Sequence, residues 1–415
     1  MQYDNIKNNI LLKSINVFCL LIFVLWYITP VLRAVLSGKI FNLFILGLIF
    51  IWFITSILLN PSWLTKVPRH LIIVSLMVFI FIFLAILNIN GNPRDYLMVG
   101  SSFWFPLYAF HFYKSSRLLY LLKVIVWGIS ISLFVTAITT IIGLHDVPNA
   151  ARFLTNSNTD PVQNIILMRR NIGKFDFVYG ILLLFPLLIN YFKEHKIVVT
   201  FLLFIIFWIV IKASFTIAIL LLFLSLILGI FLKLNRIIVI FITVFFVMFI
   251  IIIPNSYFAY PFLLLANIIN NPKISSRLLM IVNFLEGDYI THNGTFSIAR
   301  LYFYSLSLKT FFEHPLTGVG PFYYIRNVGV GYHSQILDDL ARYGVIGGFF
   351  ISSFLVTYFK YIKSISAKVF EIAFENLFII FVLLSFVNLT FSQPTIGIIM
   401  FLLIPSLILI YEDNH

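Results

Sequence analysis

Apolar runs near 20 residues long recur along most of this chain. As helix, at 1.5 Å per residue, 20 residues cover about 30 Å, the thickness of a bilayer's hydrocarbon core. We read twelve such segments, at roughly 15–35, 40–59, 70–89, 97–113, 118–143, 176–192, 197–212, 214–233, 236–254, 338–358, 370–389 and 394–411. In lipid every backbone N–H and C=O must be paired within the protein, so a spanning run is a helix or a barrel strand. The alternation of a barrel strand is absent. Of 415 residues, 61% are apolar and 10% charged, against about 25% charged in a soluble domain. These proportions exclude a soluble enzyme, a nucleic-acid-binding domain and a disordered chain. The expected fold is an all-α polytopic membrane protein of about 12 transmembrane helices.

The charges orient the spans. Lys and Arg number 28 against 15 Asp and Glu, a net +13. With the N-terminus in the cytoplasm, fourteen basic residues fall at inner segments: Lys7, Lys13, Lys66, Arg69, Lys114, Arg117, Lys123, Lys193, Lys196, Lys233, Arg236, Lys360, Lys363 and Lys368. Four (Arg33, Lys39, Arg94 and Lys212) fall at short outer loops. This bias places both termini inside, and it keeps the short fourth segment, which contains Pro106. The first run lacks a small-residue cleavage site and reads as a retained signal anchor. Cys19, the single cysteine, lies within it and has no intrachain partner.

The expected organisation is spans one to nine over 1–254, with an outer loop 144–175, a large extracytoplasmic loop 255–337, and spans ten to twelve over 338–415. The ten remaining basic residues lie in or beside the two long outer loops, which the topological rule does not govern. The first loop ends Met168-Arg169-Arg170-Asn171-Ile172-Gly173-Lys174-Phe175-Asp176. Its cations either snorkel toward headgroups or cradle an anion, for which an arginine fork and turn N–H groups are suited. The second loop is helical in pattern over Leu301 to Phe312, and amphipathic helices on the outer surface are expected there. It continues through Pro315-Leu316-Thr317-Gly318-Val319-Gly320, whose glycines permit close backbone approach, to His333 at the mouth of the tenth span. Ionisable groups at such a junction are functional candidates.

Arg300, a helix, Pro315-Leu316-Thr317-Gly318-Val319-Gly320, His333 with Leu337, and Gly344 with Gly347 follow one another in an order and approximate spacing that resembles the O-antigen ligase and polymerase family of bacterial membrane glycosyltransferases. Arg169 and Arg170 before Gly173 resemble that family's other arginine-bearing outer loop. Motif detail covers about 297–348. The chain departs at Ser334, where the family has Asn, at Arg342, where it has an acidic residue, and at Tyr304, where tryptophan is frequent.

The resemblance implies a GT-C-like architecture in the bacterial cytoplasmic membrane. It also implies transfer of a glycan from an undecaprenyl pyrophosphate carrier to a sugar hydroxyl on the outer face. The partners it implies are that lipid-linked oligosaccharide and membrane lipid, with a chain-length regulator and a flippase as candidates and no nucleic acid. The leaving diphosphate gains charge. The outer loops offer no carboxylate cluster with metal spacing, and Asp338 and Asp339 are adjacent and diverge on a helix. We therefore expect no metal and no cofactor, with Arg170 (or Arg169) and Arg300 clamping the diphosphate. His333 is the candidate base for the acceptor hydroxyl. Lys174, Arg277, Tyr304, Gly318, Gly320 and Tyr332 complete the candidate substrate-binding set. Asp338 and Asp339 read as a helix cap or as groups orienting His333. Three activities compete: polymerase, ligase to lipid A-core, and flippase for the same glycan. A transporter would place ionisable groups near the bilayer midplane, where this sequence largely lacks them. An Ile-, Asn-, Lys- and Phe-rich composition favours polymerase over ligase.

Overall fold

The computed structural model describes residues 2–36, 38–87, 93–148, 150–155, 161–191, 195–232, 255–269, 297–320 and 330–414, with isolated positions between 272 and 282. Every regular element among them is helical, as the apolar runs require. Among the described residues, six helices are long and apolar enough to cross a membrane: Ile10–Ile28, Ile40–Leu59, Leu119–Asp146, Gln335–Ser364, Lys368–Val387 and Pro394–Asp413. Three shorter apolar helices, Arg69–Ile80, Phe175–Tyr191 and Ile217–Phe231, accompany them. Ile40 and Ile197 are each 87% exposed, positions with little protein to cover them and suited to lipid. The chain is an all-α membrane protein.

In order, the helices used below are α1 (Gln2–Ile28), α2 (Pro30–Val35), α3 (Lys39–Leu59), α4 (Arg69–Leu87), α5 (Pro93–Ser115), α6 (Leu119–Asp146), α7 (Ala150–Phe153), α8 (Pro161–Arg169), α9 (Phe175–Tyr191), α10 (Lys196–Lys212), α11 (Thr216–Phe231), α12 (Asn255–Ile268), α13 (Ser297–Glu313), α14 (Gln335–Ser364) and α15 (Lys368–Val387). A final helix, α16, runs from Pro394–Ile398 through a π turn, Ile399–Leu403, into Ile404–Asn414. Pro405 lies just beyond the π turn and cannot donate a backbone bond into it. The expected fourth segment is the helix α5, continuous through Pro106. The expected ninth segment, 236–254, lies outside the described residues.

The last helix is the centre of the bundle. Of its spanning window 72% is buried, against 33–50% for the other five. Its sequence is apolar on all sides, as a fully enclosed helix must be. Pro394 starts it at a position where the missing N–H costs nothing. It packs on α5 and α9. A Cβ on Gly397 would overlap the Ser102 carbonyl, the group to which Pro106 cannot donate. Around this centre, α1 packs on α3 and α6, α9 on α10 and α15, and α14 on α4 and α13.

One end of the bundle is closed by a buried amide. Asn16 Nδ2 donates to Trp52 O (3.1 Å), Thr55 Oγ1 (2.9 Å) and Ser56 Oγ (2.8 Å), and the Tyr113 hydroxyl donates to Asn16 Oδ1 at 2.6 Å. At the same end Lys123 meets Asp413 at 3.5 Å. The opposite end carries the turns at Thr29, Asn171 and Asn388, and with them Lys174, Tyr332 and His333.

Candidate functional site

Helix α14 is broken at Gly344 (φ 60, ψ −158). In an unbroken helix the carbonyls of Ala341 and Arg342 would accept from the N–H groups of Val345 and Ile346. Here the loop 315–320 takes up all four groups. Val319 N donates to Ala341 O (3.0 Å) and Gly320 N to Arg342 O (2.8 Å); Val345 N donates to Pro315 O (2.8 Å) and Ile346 N to Leu316 O (3.4 Å). The close approach needs glycine on both sides. Gly318 (φ 65) and Gly344 adopt left-handed backbone, and a Cβ would overlap the Arg342 carbonyl at the first and the Leu316 carbonyl at the second. The N–H groups of Gly318 and Gly320, two of the candidate substrate-binding residues, are thus bonded within the protein, that of Gly318 to His314 O at 3.0 Å.

Just before the helix, residues 330–334 are held from three sides. Gly331 N donates to Ser307 Oγ (2.9 Å), and Ser307 Oγ donates to Asp338 Oδ1 (2.6 Å). Ser334 is the N-cap of α14: its Oγ accepts from Leu337 N (3.2 Å), and Asp338 Oδ2 accepts from Ser334 N (3.2 Å). Asp338 therefore serves as part of the helix cap. Serine is among the residues best suited to this capping position. Asp339 accepts from Gln335 Nε2 at 2.6 Å and pairs with Arg342 at 3.5 Å. The Arg342 guanidinium lies over the Tyr332 ring at 4.9 Å.

Tyr332 carries φ 57, costly for a bulky residue and sustained only by surrounding contacts. The strained turn presents His333. Its ring stands edge-on to Phe303, centroids 4.5 Å apart. Nδ1 lies 2.8 Å from the Tyr332 carbonyl. A carbonyl can only accept, so Nδ1 donates to it, and in the neutral ring Nε2 then holds the lone pair.

A second cluster surrounds the turn 170–174. Asn171 (φ 56) accepts from Val31 N (3.3 Å) and donates to Thr139 Oγ1 (3.1 Å), while Gly173 N donates to Thr140 Oγ1 (2.8 Å). These bonds strap the turn to α2 and α6. They bring together Arg33, Lys174 and the fully buried Asp176. Arg33 Nη1 is 3.7 Å from Asp176 Oδ2. The carboxylate also accepts from Thr395 Oγ1 (3.1 Å) and Phe177 N (3.1 Å). Asp176 is the strongest influence on Lys174 and favours its charged form. Burial and the Arg33 guanidinium outweigh it, and the ammonium pKa is pushed below the usual lysine value.

The segment 388–395 joins the two clusters. Gln335 N donates to Asn388 O (3.1 Å), and Gln335 Oε1 accepts from Thr390 N and Phe391 N (both 3.1 Å). Five residues on, Thr395 holds Asp176. At about 3.3–3.6 Å per residue, the two clusters are linked by less than about 20 Å of chain.

The predicted residues divide accordingly. His333, Tyr332, Gly318 and Gly320 come together around the kink of α14. Tyr304 serves that region by donating its hydroxyl to Val387 O at 3.1 Å. Lys174 belongs to the second cluster. Arg170 is 52% exposed and faces Asp146 at 3.7 Å, and Arg169 is exposed. Arg300 lies in the first turn of α13, with its side chain outside the described residues, as is the whole of Arg277. Among the described residues no group of three or more His, Cys, Asp or Glu could hold a metal ion. Sequence reasoning missed Arg33, counted only as a topology signal, together with Asp176, Gln335 and Thr395. An acidic residue at the mouth of an apolar run was the available signal for Asp176.

Fold and site together define a helical membrane protein with two polar clusters at one end of the bundle. The sequence matches no protein-family model and no curated protein.

Proposed function

We propose that this protein polymerises undecaprenyl-pyrophosphate-linked oligosaccharide repeat units into surface polysaccharide, within a fold of about 12 spans in the bacterial cytoplasmic membrane. Both clusters face the extracytoplasmic side and both termini the cytoplasm. The observation that carries the reading is the presentation of His333: its Nδ1 proton is committed to the Tyr332 carbonyl, which leaves the Nε2 lone pair for a substrate proton. The motif resemblance around it supplies the substrate class.

In the proposed reaction Nε2 accepts the proton of the acceptor sugar hydroxyl. That oxygen attacks the donor's anomeric carbon, the bond from this carbon to the diphosphate oxygen breaks, and the lipid diphosphate leaves with added negative charge. Arg300 and Arg170 (or Arg169) stabilise that charge without metal. The Asp146 contact of Arg170 is an exposed ion pair, worth about 0–1 kcal/mol, and is readily exchanged for a phosphate.

Deletion of the gene in its host, with surface and lipid-linked glycans resolved by gel and mass spectrometry, tests this directly. Single repeat units without long chains are expected. Full-length polymer stranded on its carrier would instead assign a ligase, and repeat units trapped on the cytoplasmic leaflet a flippase.

A further inference from the structure

Two cations and one carboxylate are packed together where Arg33, Lys174 and Asp176 meet, and Asp176 is already supplied with other donors. Its Oδ1 accepts from Phe177 N and its Oδ2 from Thr395 Oγ1. The Arg33 contact is long, at 3.7 Å. Arg33 is only 13% exposed, yet its Nε is buried without a hydrogen-bond partner among the described residues. A buried guanidinium donor with no acceptor is costly, and the cluster carries one positive charge in excess. Arg342, also with an unpartnered Nε, differs because its own carboxylate Asp339 and the Tyr332 ring cover it.

We infer that Arg33 and Lys174 form a binding site for a phosphate-bearing anion, with Asp176 as the resident counter-ion that holds the two cations in place when the site is empty. The turn at Asn171 and Gly173, fixed to α6, sets Lys174 beside the end of α2. A diphosphate oxygen entering there meets Arg33 Nε and the Lys174 ammonium at once, as charge-assisted hydrogen bonds. Asp176 repels the same oxygen and so favours release. The identity of the anion as a polyprenyl diphosphate rests on the carrier-lipid reading above; the anion site itself rests on the cluster.

The test is equilibrium binding to the full-length protein in nanodiscs, with inorganic pyrophosphate and a polyprenyl diphosphate as separate probes. Arg33→Gln and Lys174→Gln are expected to weaken binding roughly 10- to 100-fold each, and Asp176→Asn to tighten it. The double variant Arg33→Gln/Asp176→Asn keeps the net charge and serves where a single variant does not fold; it too is expected to bind more weakly than wild type. Tighter binding of the lipid form identifies the carrier as the ligand. Equal binding of the two probes, still lost in the variants, supports the site and assigns it a soluble anion. Wild-type binding that all variants retain overturns the site and leaves the polymerase reading standing. No binding of either probe overturns it as well, while the deletion strain judges the polymerase reading independently.

Discussion

His333 and Ser334 are neighbours with separable duties, and substitution at each has a different expected signature. His333→Ala removes the Nε2 lone pair but no described bond beyond that to the Tyr332 carbonyl. The protein is expected to fold, and an in vitro assay with lipid-linked repeat units should show polymerisation lowered by about 100-fold or more, the contribution usual for a positioned acid–base group. Near wild-type turnover would remove the base assignment. Ser334→Ala removes the N-cap of α14 and is expected to cost about 1 kcal/mol of stability, read as a lowered unfolding temperature. Ser334→Asn should leave both stability and turnover close to wild type, since asparagine caps equally well. The candidate histidine was legible because it stands in a motif at the mouth of an apolar run. Its tautomer was not, because that depends on the left-handed turn at Tyr332, which no sequence signal at a tyrosine announces.

The broken helix α14 and the loop 315–320 form one unit, and neither is complete alone. Four backbone groups exposed by the break at Gly344 are satisfied only by that loop. Gly344→Ala and Gly318→Ala are therefore expected to be far more damaging than an ordinary helical Gly→Ala change. Each forces a left-handed alanine, at roughly 1–2 kcal/mol, and sets a methyl against a carbonyl of the partner segment. Thermal unfolding in detergent should show both variants destabilised by at least that amount, with polymerisation lost because the segment presenting His333 is anchored next to the kink. Gly47→Ala, where a Cβ meets nothing within 4 Å, is the control and should be neutral or slightly stabilising. Gly318 was evident in the sequence as a place of close approach, and Gly344 stood out only as part of the motif resemblance. What approaches what was not, because 315–320 and 341–346 meet only through tertiary pairing. The same reason hid the second cluster, whose members Arg33, Asp176 and Thr395 come from three distant segments. The helices α3, α6, α9, α15 and α16, by contrast, follow the apolar runs closely, since in lipid the length and hydrophobicity of a run leave no alternative to helix. The first run, expected as one span over 15–35, instead ends as α1 at Ile28 and restarts as the short α2 at Pro30, where proline has no N–H to continue the helix.

The bundle's polarity decides whether the two clusters can act on an extracytoplasmic substrate at all. The proposed orientation, which rests on the basic-residue bias, has the end holding Asn171, His333 and Asn388 outside and the end holding Asn16, Lys123 and Asp413 inside. Cys19 is buried, so the wild-type chain should label weakly and single introduced cysteines can be read against a low background. His145→Cys, at a side chain that is 89% exposed at the cluster end, should react with a membrane-impermeant maleimide applied to intact cells or spheroplasts. Ser62→Cys, between α3 and α4, and Lys363→Cys, in the last turn of α14, both at the opposite end, should react only after permeabilisation. The three sites sample spans early and late in the chain, so an odd error in the number of spans between two of them would reverse the sites that follow it and leave the earlier ones unchanged. Reversal of the whole pattern would put His333 and the Arg33–Lys174 pair in the cytoplasm, where lipid-linked repeat units are still being built. The polymerase reading would then fail while the helical fold and the cluster geometry stood unchanged. Labelling as expected would leave the catalytic and binding substitutions above to decide the chemistry.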